Sequence, residues 1–171
     1  CLQVLTKATP EHGSLSPALN DNAILKMNQA IQVIYGVWEK DWSMPPEILD
    51  LIEESKQYVY DKRPVPGLER VFDHVTVNVG TIRGGDKVNK IPDHCEAEFD
   101  LRIPFGIDPL EVVAYMRERL AEEGLEAEIK VSDKLIAANY TLPTEDIVRS
   151  VVTQAQAITK KNVRPLLQWA S

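Results

Sequence analysis

Residues 95–103, CEAEFDLRI, alternate between apolar side chains and charged ones. Successive side chains of a β-strand point to opposite faces of its sheet, so Cys95, Phe99 and Ile103 share one face while Glu96 and Asp100 share the other. Alternation of this kind is typical of a strand with one buried and one solvated face. The stretch therefore predicts a sheet that is covered on one side and polar on the other.

Three further strands and two helices are predicted around this stretch. Period-two patterns indicate strands near residues 2–8, 75–80 and 125–131. Apolar residues at three- and four-residue steps indicate a helix that begins at Asn20 or Asp21. A second helix opens at Asp108 with the capping-box pattern Asp-Pro-Leu-Glu and ends at Gly124. The predicted core residues are Ile24, Met27, Ile31, Ile34 and Trp38 in the first helix and Leu110, Val113, Met116 and Leu120 in the second.

The order of these elements is strand, helix, strand, strand, helix, strand. This order is that of a ferredoxin-like α+β fold, a four-stranded antiparallel sheet with two helices. Because the crossovers are right-handed, both helices are expected on the same face of the sheet. One extra helix is predicted at residues 46–60, after the helix-start signal of Ser43, Pro45 and Pro46.

Residues 139–171 are left over after this closed arrangement. They predict a helix capped by Thr144 and then a strand from Arg164 to Trp169 with no obvious partner. A strand normally needs neighbours, so we predict a domain boundary between residues 138 and 139 and a truncated second domain after it. The start at Cys1 and the stop after Ser171 also favour a fragment of a longer protein.

The composition excludes several classes of function. The net charge is −7, from 26 acidic and 19 basic residues, without the dense basic run that nucleic-acid binding requires. No apolar stretch approaches the length that crosses a bilayer, so no membrane partner is expected. The two cysteines, Cys1 and Cys95, have neither a zinc-finger spacing nor a disulfide framework. These features favour a cytoplasmic protein.

The three histidines, His12, His74 and His94, lack the spacings that gather ligands around a metal ion. His74 is expected to be exposed. The pair His94-Cys95 is not expected to bind a metal, because neighbouring strand residues point to opposite faces. No nucleophile elbow, phosphate loop or dinucleotide motif occurs. The chain is therefore not expected to contain a complete active site or a metal site.

Two polar loops carry a resemblance to a known family. The first runs from His12-Gly13-Ser14 to Asn22-Ala23-Ile24, and the second contains Gly84-Gly85, Asn89-Lys90-Ile91-Pro92 and then Asp100-Leu101-Arg102. In this order they resemble the lid-domain motifs of the zinc-dependent aminoacylase and carboxypeptidase family, which includes acetylornithine deacetylase, succinyl-diaminopimelate desuccinylase and carboxypeptidase G. The resemblance covers about residues 2–132, and the leftover helix resembles the point where such chains re-enter their catalytic domain.

The resemblance implies a two-domain metallohydrolase, a deacylase or metallopeptidase. Its catalytic domain, absent from this chain, would hold two zinc ions and act on an N-acyl amino acid or small peptide. The lid would form a homodimer, in which His12 donates a hydrogen bond to the developing oxyanion at the partner's zinc site. By the same match Asn89, Gly84 and Gly85 belong to the substrate site, and Arg102 binds a substrate carboxylate.

Other interpretations of the same residues remain open at the level of sequence. Without the resemblance, Arg102 is better read as an ion-pair residue on a strand surface near Asp100, and Asn89 as a turn residue. The whole chain is also compatible with a free-standing ferredoxin-like regulatory or assembly module that binds a small molecule or only another copy of itself.

Overall fold

The computed structural model describes residues 1–132 and 138–168, whose four strands form one antiparallel sheet. The strands are β1 (Leu2–Lys7), β2 (Thr76–Gly84), β3 (His94–Arg102) and β4 (Ala127–Val131). Their order is β2-β3-β1-β4, so β1 lies between β3 and β4. This topology confirms the predicted ferredoxin-like sheet, and it leaves β2 and β4 as edge strands.

Two long helices accompany this sheet, α2 (Ala23–Tyr35) and α4 (Pro109–Glu122), and a short helix, α1 (Ser16–Leu19), precedes α2. α2 is capped by the Asn22 side chain, which accepts hydrogen bonds from the backbone N–H groups of Ile24 and Leu25. The cap therefore lies one or two residues beyond the predicted Asn20 or Asp21. Asp108 caps α4 as predicted, with its Oδ1 2.8 Å from the Leu110 nitrogen.

The core of this part lies between the sheet and the two helices, which contact each other. The strand face that includes Leu2, Val4 and Phe99 is buried, as the alternation predicts. Leu110 was placed in the core by its spacing, but its side chain is 62% exposed. Val112, next to the predicted core residue Val113, is buried instead. Because Val112 and Val113 are adjacent, the helix has two neighbouring faces of similar apolar character, one with Leu110 and one with Val112. Packing against the rest of the unit buries the face with Val112.

An irregularity in β2 changes which of its residues face the helices. Val79 pairs with Phe99, yet Thr81 pairs with the next residue of β3, Glu98, so one extra residue is inserted at Gly80. A bulge of this kind shifts the alternation by one position. Ile82 consequently lies opposite Ala97 on the helix side, whereas Thr81 and Arg83 lie on the polar side opposite Glu98 and Glu96.

A second compact unit is formed by Asp41–His74, Ile103–Ile107 and residues 138–168, while the sheet and its helices belong to the first unit. It contains α3 (Leu49–Lys62), which includes most of the extra helix predicted at 46–60, and α5 (Asp146–Thr159). A 3₁₀ turn at Pro46–Ile48 leads into α3. The buried core residues of this unit are Ile48, Leu51, Ile52, Val59, Phe72 and Leu167.

The C-terminal segment differs from its prediction. Residues 164–168 form no strand, and Trp169 lies outside the described residues. The Leu167 backbone N–H donates instead to the buried Ser55 hydroxyl of α3 at 2.9 Å, because no neighbouring strand takes up this amide in the described chain. The predicted boundary between residues 138 and 139 stays a prediction. Among the described helices, none combines the length and the apolar character that a membrane span needs.

Candidate functional site

The two polar loops singled out in the sequence lie side by side in the first unit. His12 and Lys90 form an antiparallel bridge. The Gly13 N–H donates to the Asn89 carbonyl oxygen at 2.8 Å, and the Ile91 N–H donates to the Glu11 carbonyl oxygen at 2.8 Å. Gly13 is suited to this contact, since a β-carbon there would lie 3.1 Å from the Asn89 carbonyl carbon. The fold therefore joins the loops that carry His12 and Asn89.

His12 is exposed and caps the 3₁₀ turn Gly13–Leu15. Its Nδ1 accepts a hydrogen bond from the Ser14 backbone N–H at 3.3 Å and lies 2.8 Å from the Ser14 hydroxyl oxygen. A backbone N–H can only donate, so Nδ1 is the acceptor and the neutral ring carries its proton on Nε2. Nε2 has no hydrogen-bond partner in the part of the chain that the structure describes. The ring is thus prepared as a donor at Nε2.

A depression of about 520 Å³, open to solvent, lies next to these loops. Gly84 and Gly85 line it, together with Gly13, Asn22 and Lys90. His12 and Asn89 are not lining residues, although each is next in sequence to one that is. The structure thus brings four of the five predicted site residues, His12, Asn89, Gly84 and Gly85, to one region.

Gly84 and Gly85 are required by the local packing. A β-carbon at Gly84 would lie 2.8 Å from the Cys95 sulfur, closer than side chains tolerate. Gly85 has φ of +73°, in the left-handed region that glycine adopts without strain. Burial raises the pKa of the Cys95 thiol, which lies beneath Gly84. Cys95 is therefore kept as an unreactive thiol rather than a nucleophile.

Arg102 is the predicted site residue that lies elsewhere. It is at the far end of β3, paired with Thr76, whereas Gly84 is paired with Cys95 at the near end. Arg102 lies seven residues further along the strand than Cys95, which corresponds to roughly 23 Å. Arg102 Nε donates to Asp100 Oδ2 at 2.8 Å, the ion pair that the sequence alone favours. A role of Arg102 at the substrate stays a prediction.

Charges around the loops are largely paired. Lys90 Nζ lies 3.5 Å from Asp86 and 3.8 Å from Asp93. The hydrogen bond with His94 lowers the pKa of Asp93, against the smaller opposing effect of burial, and Lys90 lowers it further. The Asp93 carboxylate is therefore ionised at neutral pH and lies close to the Lys90 ammonium group.

Two features were missed by the sequence analysis. Ser14, whose N–H and hydroxyl orient His12, was quoted only as part of a motif, although its position two residues after the histidine is the spacing of a local side-chain turn. His74 was expected to be exposed but is only 9% exposed. Its Nδ1 lies 2.6 Å from Asp73 and its Nε2 3.4 Å from Asp41, in the second unit.

No group of three or more His, Cys, Asp and Glu side chains that could hold a metal ion occurs within residues 1–132 and 138–168. The described residues therefore do not fit a zinc centre.

The chain belongs to the peptidase dimerisation domain family, which matches residues 3–128. This match confirms the resemblance that was inferred from the loop motifs. It covers β1 to β3, both helices that accompany the sheet, and both loops of the site. A comparison with curated proteins gave no match.

Solved structures with a similar fold include three peptidases. The first is the M20 family metallo-carboxypeptidase Sso-CP2 from Sulfolobus solfataricus, with a TM-score of 0.64 and 16% identity over 94% of this chain and 42% of that one. Aminopeptidase PepT from Bacillus cereus has a TM-score of 0.57 and 17% identity, over 92% of this chain and 35% of that one. A tripeptidase from Staphylococcus aureus has a TM-score of 0.56 and 15% identity, over 92% of this chain and 34% of that one. The chain thus spans less than half the length of each, and the likeness at this identity concerns the fold.

Proposed function

We propose that this chain is the lid and dimerisation domain of a metal-dependent amide hydrolase that acts on N-acyl amino acids or small peptides. The observation that carries the proposal is the family match over residues 3–128, which includes the joined loops of His12 and Asn89. Residues 139–171 would begin the second half of the catalytic domain. That domain would hold two zinc ions, and this chain alone would not be catalytic.

In this proposal His12 serves the active site of the partner subunit. An amide hydrolase must stabilise the negative charge that develops on the carbonyl oxygen, and a fixed hydrogen-bond donor does this without reorganisation. The Ser14 contacts to Nδ1 support the role, since they keep the proton of the neutral ring on Nε2. The exposure of His12 in its own subunit also supports a partner outside that subunit.

Asn89, Gly84 and Gly85 would contact the substrate beside the scissile amide. The Asn89 side chain is exposed and offers one acceptor and one amide donor group, which match the two polar ends of an amide bond. The glycines allow close approach because no side chain intervenes. Arg102, 48% exposed at its side chain, would bind a carboxylate of the substrate from the other end of β3.

The proposed assembly is a homodimer formed through this domain. The name of the family supports self-association, as do the two edge strands of the sheet, whose backbone groups offer pairing sites. A cytoplasmic location is also proposed.

The test uses the intact enzyme with N-acyl amino acids and short peptides as substrates. His12→Ala is expected to lower kcat by about 10²–10³-fold with little change in KM, the effect of losing one oxyanion donor. His94→Ala is the matched control, because His94 is another exposed histidine of the same unit. Unchanged turnover in His12→Ala would remove the catalytic role, and an intact protein without amide hydrolase activity would remove the proposed function.

A further inference from the structure

Two lysines line the depression beside the loops, and their ammonium groups have different surroundings. Lys90 Nζ lies 3.5 Å from Asp86 Oδ2, the carboxylate that also lines the depression, and 3.8 Å from Asp93 Oδ2. Lys87 is exposed, and its side chain forms no ion pair or hydrogen bond in the part of the chain that the structure describes. The depression therefore holds one cation that no described side chain neutralises.

The N-terminus of α2 also reaches the depression, but its first amides are already used. The Ala23 N–H donates to the Pro92 carbonyl oxygen at 3.2 Å, and the N–H groups of Ile24 and Leu25 donate to the Asn22 side chain. A helix N-terminus binds an anion through N–H groups that are still free. Recognition of a negative charge at the depression therefore depends on the unpaired lysine and not on the helix.

Lys87 and Asn89 belong to the same tight turn. The Lys90 N–H donates to the Lys87 carbonyl oxygen at 3.3 Å, which closes a four-residue turn. The Cα atoms at the two ends of such a turn lie within about 7 Å of each other. Lys90 also forms the bridge to His12. Lys87 is therefore presented to the same active site as His12 and Asn89, close to the position proposed for the scissile amide.

Apolar side chains line the depression beside this lysine. They belong to Ile24, Val88, Ile91 and Pro92, and among them Val88 is fully exposed. A short aliphatic chain can lie against these side chains, because removing its methylene groups from water is favourable. A carboxylate at the end of that chain can then accept a charge-assisted hydrogen bond from the ammonium group. The depression thus suits a carboxylate on a short alkyl chain.

We infer that Lys87 binds a carboxylate on a short aliphatic chain of the substrate, distinct from the carboxylate proposed for Arg102, and thereby selects substrates with a second negative charge. The inference rests on the proposed function and names the substrate class of that site. The chain carries a net charge of −7, so an unpaired cation at the depression also offsets the repulsion that such a substrate meets on approach. Lys87 acts as a specificity-determining residue, because a neutral substrate does not use it.

Steady-state kinetics of the intact enzyme with two pairs of substrates test the inference. The first pair, N-acetylglutamate and N-acetylglutamine, differs in charge on the amino-acid side chain. The second pair is an N-acyl alanine whose acyl chain ends in a carboxylate and the same compound with a terminal amide. In at least one pair, kcat/KM is expected to be about five- to tenfold higher for the charged member, the effect of one exposed ion pair at its upper range. The pair that shows the preference identifies which part of the substrate carries the carboxylate.

Variants of Lys87 assign the preference to this residue. Lys87→Met removes the charge and is expected to abolish the preference by raising KM for the charged member, with kcat unchanged. Lys87→Arg is expected to retain the preference, and Lys87→Glu to reverse it. Lys130→Met is the matched control, because it removes a positive charge from β4, which is the edge strand opposite β2 in the same sheet.

The outcomes separate this inference from the proposed function. An enzyme that hydrolyses N-acyl amino acids or peptides but favours the charged member of neither pair overturns the role of Lys87 and leaves the proposed function in place. A preference that Lys87→Met does not reduce, or that Lys130→Met reduces equally, also overturns that role alone. An intact, folded protein that hydrolyses no N-acyl amino acid or peptide overturns both the proposed function and the role of Lys87 that rests on it.

Discussion

The Nδ1 atom of His12 lies 2.8 Å from the Ser14 hydroxyl oxygen and accepts a hydrogen bond from the Ser14 N–H. His94 has the opposite arrangement, because its Nδ1 lies 3.1 Å from a carboxylate oxygen of Asp93. An ionised carboxylate can only accept a hydrogen bond, so Nδ1 of His94 carries the proton and donates it. Two exposed histidines of one chain are thus held in opposite tautomers by their local partners.

The tautomers can be read from the ¹⁵N chemical shifts of the histidine rings at a pH where the rings are neutral. We expect the proton of His12 on Nε2 and that of His94 on Nδ1. Ser14→Ala removes the hydroxyl contact and is expected to raise the fraction of His12 with its proton on Nδ1. Finding His12 mainly as the Nδ1–H form in the unmodified chain would contradict the donor role proposed for Nε2.

Loss of the Ser55 hydroxyl is expected to destabilise the second unit. Ser55 is buried, its hydroxyl donates to the Leu51 carbonyl oxygen at 2.7 Å, and it accepts from the Leu167 N–H. Ser55→Ala leaves the Leu167 amide without its acceptor, at a cost of about 1–3 kcal/mol. Hydrogen exchange of the Leu167 amide should accelerate, and the urea midpoint should fall. Thr153→Ala loses a similar bond to a helix carbonyl on an exposed face and should change neither measurement by a comparable amount.

The ion pair between Lys56 and Asp73, 2.5 Å apart, predicts a pH dependence of stability. Burial acts to raise the pKa of Asp73, but hydrogen bonds from Lys56 and His74 outweigh it and hold the pKa below the ordinary 3.8. Because the pKa of Asp73 is lower in the folded than in the unfolded chain, the ionised Asp73 stabilises the fold above pH 3.8. This stabilisation is lost as the pH falls through the folded-state pKa of Asp73. For Lys56, burial lowers the pKa but the bonds to Asp73 and Glu53 raise it above 10.5. The contribution of the charged Lys56 to the free energy of unfolding is therefore present below pH 10.5 and is lost as the pH rises through the higher folded-state pKa.

Asp73→Asn is expected to lower the free energy of unfolding at neutral pH and to flatten its decline in acid. Asp61→Asn, on the exposed face of α3, is the control for the substitution itself. Urea titrations at a series of pH values measure both effects. An acid limb as steep in Asp73→Asn as in the unmodified chain would show that Asp73 does not carry this dependence.

The regular elements could be predicted from sequence because their signals are local. Residues 95–103 alternate without exception, and Asp108 with Pro109 specifies the start of a helix on its own. Leu110 was misplaced because its exposure depends on which of two apolar faces the sheet accepts. The bulge at Gly80 was not predicted either, since an inserted residue is visible only when the partner strand is known. The prediction of a strand from Arg164 was wrong over residues 164–168, because a strand forms only beside a neighbouring strand.

The site was predictable only in part, for the same reason. The motifs pointed to His12, Asn89, Gly84 and Gly85, but the bridge between His12 and Lys90 that joins their loops is a tertiary contact. The separation of Arg102 from these residues follows from its position along β3, which becomes informative once the pairing with β2 is known. His74 is buried although its ring nitrogens lie close to Asp73 and Asp41, and no periodic pattern in the sequence indicates this position.

The most direct test of this account is the molar mass of the protein in solution, measured by sedimentation equilibrium over a range of concentrations. For a dimerisation domain we predict a concentration-dependent rise from the monomer mass of 19.2 kDa towards twice that value. A mass that stays at 19.2 kDa at the highest concentration would contradict self-association and, with it, the proposal that His12 acts on a partner subunit.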